Sequence, residues 1–166
     1  MQDSIVRGFR CVLRFDGRDT RSEFWPYAAA AVALYLVVGW AVVIPIVLPV
    51  FDASSLADRG VFLTMESHFI LASVLMFAAL VAILAAAVAR RLHDGGRTAF
   101  WGLLPLPFAT YGVGALVRLF SQFETGAPDI RLFFSAFMSS VLYFVAVAWL
   151  IVLLARRSTP GPNRFG

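Results

Sequence analysis

Four long, uncharged and strongly apolar stretches constrain the fold of this chain more than any other feature of its sequence. They cover residues 27–50, 69–89, 99–117 and 132–155, and we expect the third helix to continue to about residue 120. Each stretch has 19 to 24 residues, close to the roughly 20 that an α-helix needs to cross about 30 Å of hydrocarbon. The sequence therefore predicts an all-α fold, an integral membrane four-helix bundle.

The composition fits a chain that lies almost entirely in or against a membrane. Of the 166 residues, 60% are hydrophobic and only 14% are charged, whereas a soluble domain carries about 25% charged residues. The segments outside the four stretches are too short for a separate soluble domain. We expect a single membrane domain over residues 1–166, with an amphipathic segment at 1–26 and a polar tail at 156–166.

The arginines lie mostly on one side of the predicted membrane. All 14 basic residues are Arg, and eleven of them flank the same ends of the spans. These eleven are Arg7, Arg10, Arg14, Arg18, Arg21, Arg90, Arg91, Arg97, Arg156, Arg157 and Arg164. Because basic loops resist translocation, both termini are predicted to be cytoplasmic. The same rule accounts for the net charge of +4, so we expect no nucleic-acid partner.

The segment before the first span has an amphipathic pattern over residues 3–14. Its apolar residues are Ile5, Val6, Phe9, Val12 and Leu13, and its basic residues on the opposite side are Arg7, Arg10 and Arg14. Such a helix is typical of the membrane interface, where arginines meet anionic lipid headgroups. We predict an N-terminal amphipathic interfacial helix; the alternative is an ordinary basic flank that happens to be helical.

Aromatic and glycine residues next to the spans predict local features. Trp25 and Tyr27 lie at the start of the first span, and Phe100 and Trp101 at the start of the third. We expect these four at the headgroup level, which tryptophan and tyrosine favour. Between the second and third spans, Gly95-Gly96 predicts a tight reversal of the chain.

Three short strings outside the spans carry a resemblance to a known family. They are Phe15-Asp16-Gly17-Arg18 with Arg21-Ser22-Glu23-Phe24-Trp25, then Arg90-Arg91-Leu92-His93-Asp94 with Trp101, and last Gly161-Pro162-Asn163-Arg164-Phe165-Gly166. In their order and their positions around the spans they resemble the bacterial inner-membrane family catalogued as domain of unknown function 805. The resemblance implies a small four-helix protein of the bacterial inner membrane, and it implies no particular reaction.

By topology, the three strings meet on the cytoplasmic side and form a candidate site. Its residues are Arg18, Arg21, Glu23, Arg90, Arg91, His93, Asp94, Arg97, Asn163 and Arg164. The first interpretation is structural: Glu23 and Asp94 pair with nearby arginines and lock the inner ends of the helices, which the planar guanidinium fork favours.

Two other interpretations of the same residues involve a ligand or a reaction. Arg91, Arg97 and Arg164 are placed to clamp phosphate oxygens of a lipid headgroup. For catalysis, His93 and Asp94 are the only acid–base pair, and no Ser or Cys nucleophile stands at a recognisable spacing. The two histidines lie on opposite sides of the membrane, and Cys11 is the only cysteine, so we expect no metal site and no cofactor.

The function that the sequence favours is a non-enzymatic membrane module. Its Arg-rich cytoplasmic face is expected to bind anionic lipid or a partner protein, or a further copy of the chain. The alternative is a subunit of an oligomeric channel or transporter, because four helices are too few to enclose a wide path alone. The first, second and fourth stretches carry no ionisable group that would serve as a proton or ion relay.

Overall fold

The structure is a computed structural model that describes residues 2–51, 59–125 and 129–161. Its elements are all helical, separated by turns and irregular segments. Five α-helices are present in these ranges: α1 (Gln2–Arg10), α2 (Arg21–Val47), α3 (Arg59–Asp94), α4 (Leu106–Thr125) and α5 (Ile130–Ala155). Two short 3-10 helices, Leu48–Phe51 and Ala99–Leu103, follow α2 and precede α4.

Four helical segments of the described chain are long and apolar enough to cross a membrane. They are Arg21–Val47, Ser67–Asp94, Ala99–Gln122 and Ile130–Ala155. Each overlaps one of the apolar stretches of the sequence. The prediction of an all-α fold with four membrane-spanning helices is therefore confirmed, and the chain is a multi-pass membrane protein.

Prolines set the local form of two of these segments. Pro26 lies inside α2, one turn after its start at Arg21, where a missing N–H costs only one bond near the helix end. After Pro45 the α-helix ends at Val47 and a 3-10 turn follows. Pro105 separates the 3-10 helix Ala99–Leu103 from α4, so the third span is not one continuous α-helix.

The end of α3 confirms the predicted glycine reversal. Gly96 has a φ of +70°, a left-handed conformation that glycine adopts without the penalty of a Cβ atom. The N–H of Arg97 donates to the carbonyl of Leu92 at 2.9 Å, and the N–H of Gly96 donates to that of His93 at 2.9 Å. These paired bonds form a Schellman motif, which satisfies two of the last carbonyls of α3.

The described chain divides into two compact units. The first contains α1, α2 from Ser22, and α3 up to Ala87. In it Tyr27 is buried, and its hydroxyl donates to the carbonyl of Ile83 at 2.7 Å. This bond connects α2 to α3 in the interior of the first unit.

The second unit contains the segment Asp16–Arg21, the end of α3 from Val88, α4 and α5. Its two long helices are joined by a side-chain hydrogen bond, in which the Ser139 hydroxyl donates to the carbonyl of Phe108 at 2.7 Å. Gly112 lies at this contact, and a methyl group there would meet the Ser139 hydroxyl at 3.6 Å, an ordinary van der Waals distance. Small residues commonly mediate close helix packing in membranes.

Replacement of Ser139 by alanine is expected to destabilise the protein modestly. The substitution removes the hydrogen bond from the Ser139 hydroxyl to the carbonyl of Phe108. An interhelical hydrogen bond of this kind contributes about 0.6 kcal/mol on average in membrane proteins. Ser140→Ala is the control, because the Ser140 hydroxyl donates to the carbonyl of Ala136 in its own helix. Unfolding in mixed micelles measures both variants, and equal stability of the two would contradict the prediction.

Candidate functional site

Polar residues from separate parts of the second unit meet at the end of α3. They come from the segment Asp16–Arg21, from the last two turns of α3 and from the residues that follow α5. We call this group the arginine network. Its residues are Arg18, Asp19, Arg90, Arg91, Asp94, Ser158 and Thr159.

Asp94 is the main acceptor of the arginine network. Its carboxylate accepts hydrogen bonds from Nε of Arg18 at 3.2 Å, from Nη1 of Arg91 and from the hydroxyl of Ser158. The residue is buried, with 3% of its surface exposed. A buried carboxylate is costly unless it is paired and hydrogen-bonded, and here three donors from three parts of the chain fulfil that condition.

Arg91 connects α3 to the end of α5. Its Nε donates to the carbonyl of Leu154 at 2.8 Å, and its Nη2 donates to the carbonyl of Arg156. The last carbonyls of a helix have no partner within the helix, so the guanidinium acts as a C-terminal cap of α5. Only 2% of the Arg91 surface is exposed, which makes this cap part of the protein interior.

Arg90 and Asp19 form a second buried ion pair. Nε of Arg90 lies 2.7 Å from Oδ2 of Asp19, and both residues are buried. The backbone N–H of Asp19 also donates to the carbonyl of Arg90 at 3.3 Å. The irregular segment before α2 is therefore fixed to α3 through both its side chain and its backbone.

Arg18 fixes the segment that follows α5. Its Nη1 donates to the carbonyl of Gly161 at 2.9 Å, and its Nη2 donates to that of Thr159 at 2.9 Å. Thr159 in turn donates from its backbone and from its hydroxyl to the carbonyl of Asp94, each at 3.0 Å. Arg18 thus binds Asp94 and the polar tail at the same time.

The other predicted site residues that the structure describes have contacts or positions of their own. Glu23 pairs with Arg7 in the first unit. Arg97 lies over the ring of Trp101, 5.9 Å from its centroid, and His93 is half-buried in the last turn of α3. Asn163 and Arg164 lie outside the described residues. In the searched ranges no three His, Cys, Asp or Glu residues are grouped closely enough to hold a metal ion.

The four predicted interfacial aromatics differ in exposure. Trp25, Phe100 and Trp101 are exposed, Phe100 most of all at 79%. Tyr27 is the exception: only 1% of its surface is exposed, so its ring contacts protein and not lipid headgroups. Its ring packs against Gly8 and its hydroxyl bonds Ile83, so it is a core residue. The rule for aromatic belts considers only nearby sequence and missed this contact.

Three further arginines form an exposed group at the end of α5. Nε of Arg21 donates to the carbonyl of Arg156 at 3.0 Å, and Arg157 is the next residue. All three are exposed, and within the described ranges none of them forms an ion pair with a carboxylate. We call these residues the exposed arginine patch. The sequence named Arg21 as a site residue but treated Arg156 and Arg157 only as a topology signal.

Comparison with known proteins gives one match. The family described as "Protein of unknown function (DUF805)" matches residues 12–166, a range that contains the whole arginine network and all four spans. No curated protein and no solved structure matches the chain. The match over nearly the full length shows that the chain belongs to the DUF805 family.

Proposed function

We propose that the chain is a non-enzymatic protein of the bacterial inner membrane whose exposed arginine patch binds anionic phospholipid at the cytoplasmic surface. The observation that supports this proposal is the division of the arginines into two groups. Those of the arginine network are internal and bound to carboxylates and carbonyls. Those of the exposed arginine patch have no carboxylate partner in the described ranges, so they are available to an external anion.

Phosphate is the anion that suits this patch. Guanidinium groups present two parallel donors that match the spacing of phosphate oxygens. Arg156 directly follows α5, an apolar helix long enough to span the membrane, which supports a position for Arg156 and Arg157 next to the headgroups. An arginine near an anionic leaflet contributes about 1 kcal/mol to association with it.

The orientation of the protein follows from the same residues. Eleven of the 14 arginines flank the ends of the spans that carry the patch, and such basic flanks remain in the cytoplasm. Both termini are therefore assigned to the cytoplasm in this proposal. The cytoplasmic leaflet attracts basic segments because it is rich in anionic lipids.

A catalytic role fits the contacts less well than a binding role. Asp94, the acidic member of the only adjacent His–Asp pair, already accepts bonds from Arg18, Arg91 and Ser158. The carboxylate oxygens are therefore already engaged by donors of the protein itself. Its partner contacts favour a role in holding the helices together.

Substitution of both Arg156 and Arg157 by alanine is expected to weaken the binding of phosphatidylglycerol about 30-fold, since each arginine contributes about 1 kcal/mol. Native mass spectrometry of the delipidated protein, titrated with phosphatidylglycerol and separately with phosphatidylcholine, measures the change. Phosphatidylcholine binding is expected to stay the same. Replacing both residues by lysine is expected to restore part of the affinity, because the charge is retained.

The matched control removes the same charge from other exposed positions. Arg118 and Arg131 are exposed and lie outside the exposed arginine patch, and Arg118→Ala with Arg131→Ala is expected to leave phosphatidylglycerol binding unchanged. Equal losses in the two double variants would show a non-specific charge effect. Loss of a co-purified protein, with phosphatidylglycerol binding intact, would show a protein-binding surface and contradict the lipid proposal.

A further inference from the structure

The N-terminal helix α1 is docked against the first turns of α2 by three contacts within the first unit. Gly8 lies against the ring of Tyr27 so closely that a side chain at position 8 would overlap it. The ring of Phe9 meets that of Tyr27 edge to face, with 5.2 Å between centroids. Arg7 pairs with Glu23, a residue in the first turn of α2.

This docking fixes the position of α1 relative to the membrane. Its partners Glu23 and Tyr27 belong to the first two turns of a helix long enough to span the bilayer, which begins at Arg21. The start of an apolar span lies at the headgroup boundary. Because α1 is bound to those turns, a bilayer that surrounds the span would also reach the free surface of α1.

The surface of α1 has three sides of different chemistry. Ser4, Ile5 and Gly8 are half-buried or buried and form the protein side. Val6 and Phe9 form an apolar side that is 49% and 41% exposed. Arg7 and Arg10 lie on a basic side and are exposed. Residues three apart are neighbours on a helix surface, so Val6 with Phe9 and Arg7 with Arg10 each form a continuous side.

The chain continues the same pattern beyond α1. Leu13 is 86% exposed and Phe15 is 49% exposed, and Arg14 between them is also exposed. The sequence places Ile5 and Val12 with the other apolar residues, but the structure has both half-buried. The apolar residues that face outward are therefore Val6, Phe9, Leu13 and Phe15.

We propose that α1 and the turn after it insert these four apolar side chains into the headgroup–hydrocarbon boundary of the leaflet where α2 begins. Arg10 and Arg14 then contact lipid phosphates above them. Burial of exposed apolar surface favours the insertion, and basic residues on the adjoining side complement an anionic leaflet. This inference concerns residues of the first unit and does not depend on the exposed arginine patch.

Spin-label accessibility in vesicles tests the proposal. Cys11, the single cysteine, is replaced by serine, and one cysteine at a time is introduced as Val6→Cys, Leu13→Cys or Arg7→Cys for nitroxide labelling. The labelled proteins are reconstituted in vesicles of phosphatidylethanolamine and phosphatidylglycerol. Collision rates with oxygen, which concentrates in lipid, and with a water-soluble nickel chelate are then compared.

Labels at Val6 and Leu13 are expected to collide more with oxygen than with the nickel chelate, and the label at Arg7 is expected to show the reverse. Nickel-dominated collisions at all three positions would place α1 in water and overturn the proposal. Low collision rates with both reagents at Val6 and Leu13 would show that protein covers this side, which also overturns it. The contrast between Val6 and its neighbour Arg7 on one helix reports that α1 is folded in the labelled variants.

Discussion

Replacement of Arg91 by alanine is expected to lower the free energy of unfolding by about 3–5 kcal/mol, the cost of breaking a buried ion pair by removing one partner. The variant removes the Arg91 donor from the buried carboxylate of Asp94 and from the carbonyls of Leu154 and Arg156. The loss therefore affects the end of α5 as well as the end of α3. Reversible unfolding in mixed micelles, followed by helical circular dichroism, measures it.

Two further variants show whether charge or geometry is responsible. Arg91→Lys keeps the charge but lacks the planar fork that reaches Asp94 and both carbonyls, so most of the loss is expected to remain. Arg157→Ala, which removes an exposed arginine without an ion pair in the described ranges, is expected to change stability by less than about 0.5 kcal/mol. An Arg91→Ala protein as stable as Arg157→Ala would show that the network contributes nothing to stability.

Replacement of Asp94 by alanine is expected to have an effect of similar size, again about 3–5 kcal/mol. The change leaves the buried guanidinium of Arg91 without its carboxylate and removes an acceptor for Arg18 and Ser158. We expect this variant also to loosen residues 158–161, which hydrogen exchange of the Thr159 amide detects. Asp16→Ala, a change of the same type at an exposed position, is the control.

The double variant Arg91→Ala with Asp94→Ala tests whether the two residues act on each other. Neighbours that share one network are not additive and couple by about 0.5–3 kcal/mol. The double variant is therefore expected to be less destabilised than the sum of the single variants. A simple sum would mean that each residue acts through other partners.

The parts of this structure that depend on local sequence were predictable. Uncharged stretches predicted the four spans because the hydrocarbon sets their length. The Gly95-Gly96 pair predicted the reversal after α3 because a left-handed residue is needed there. The sequence analysis predicted only that Asp94 pairs with nearby arginines; in the structure one of its partners is Arg91, three residues before it on the same helix.

The contacts between residues far apart in the sequence could not be predicted in the same way. Asp19 is 71 residues from its partner Arg90, and nothing in the irregular segment around it distinguishes it from exposed Asp16. Tyr27 was assigned to the headgroups from its position at the start of the span. Its burial was not predicted, because the residue that packs against its ring, Gly8, is distant in sequence. The division between paired and exposed arginines likewise depends on which carbonyls and carboxylates the folded chain brings near them.

The cap that Arg91 places on α5 has a consequence for how the protein is made. The donor belongs to α3, whereas the acceptors at Leu154 and Arg156 lie at the end of α5, which is synthesised after α3. Until that span is inserted, Arg91 lacks these carbonyl acceptors, and Asp94 lacks Ser158. The buried network can therefore form completely only after the fourth span has been synthesised and packed against α3.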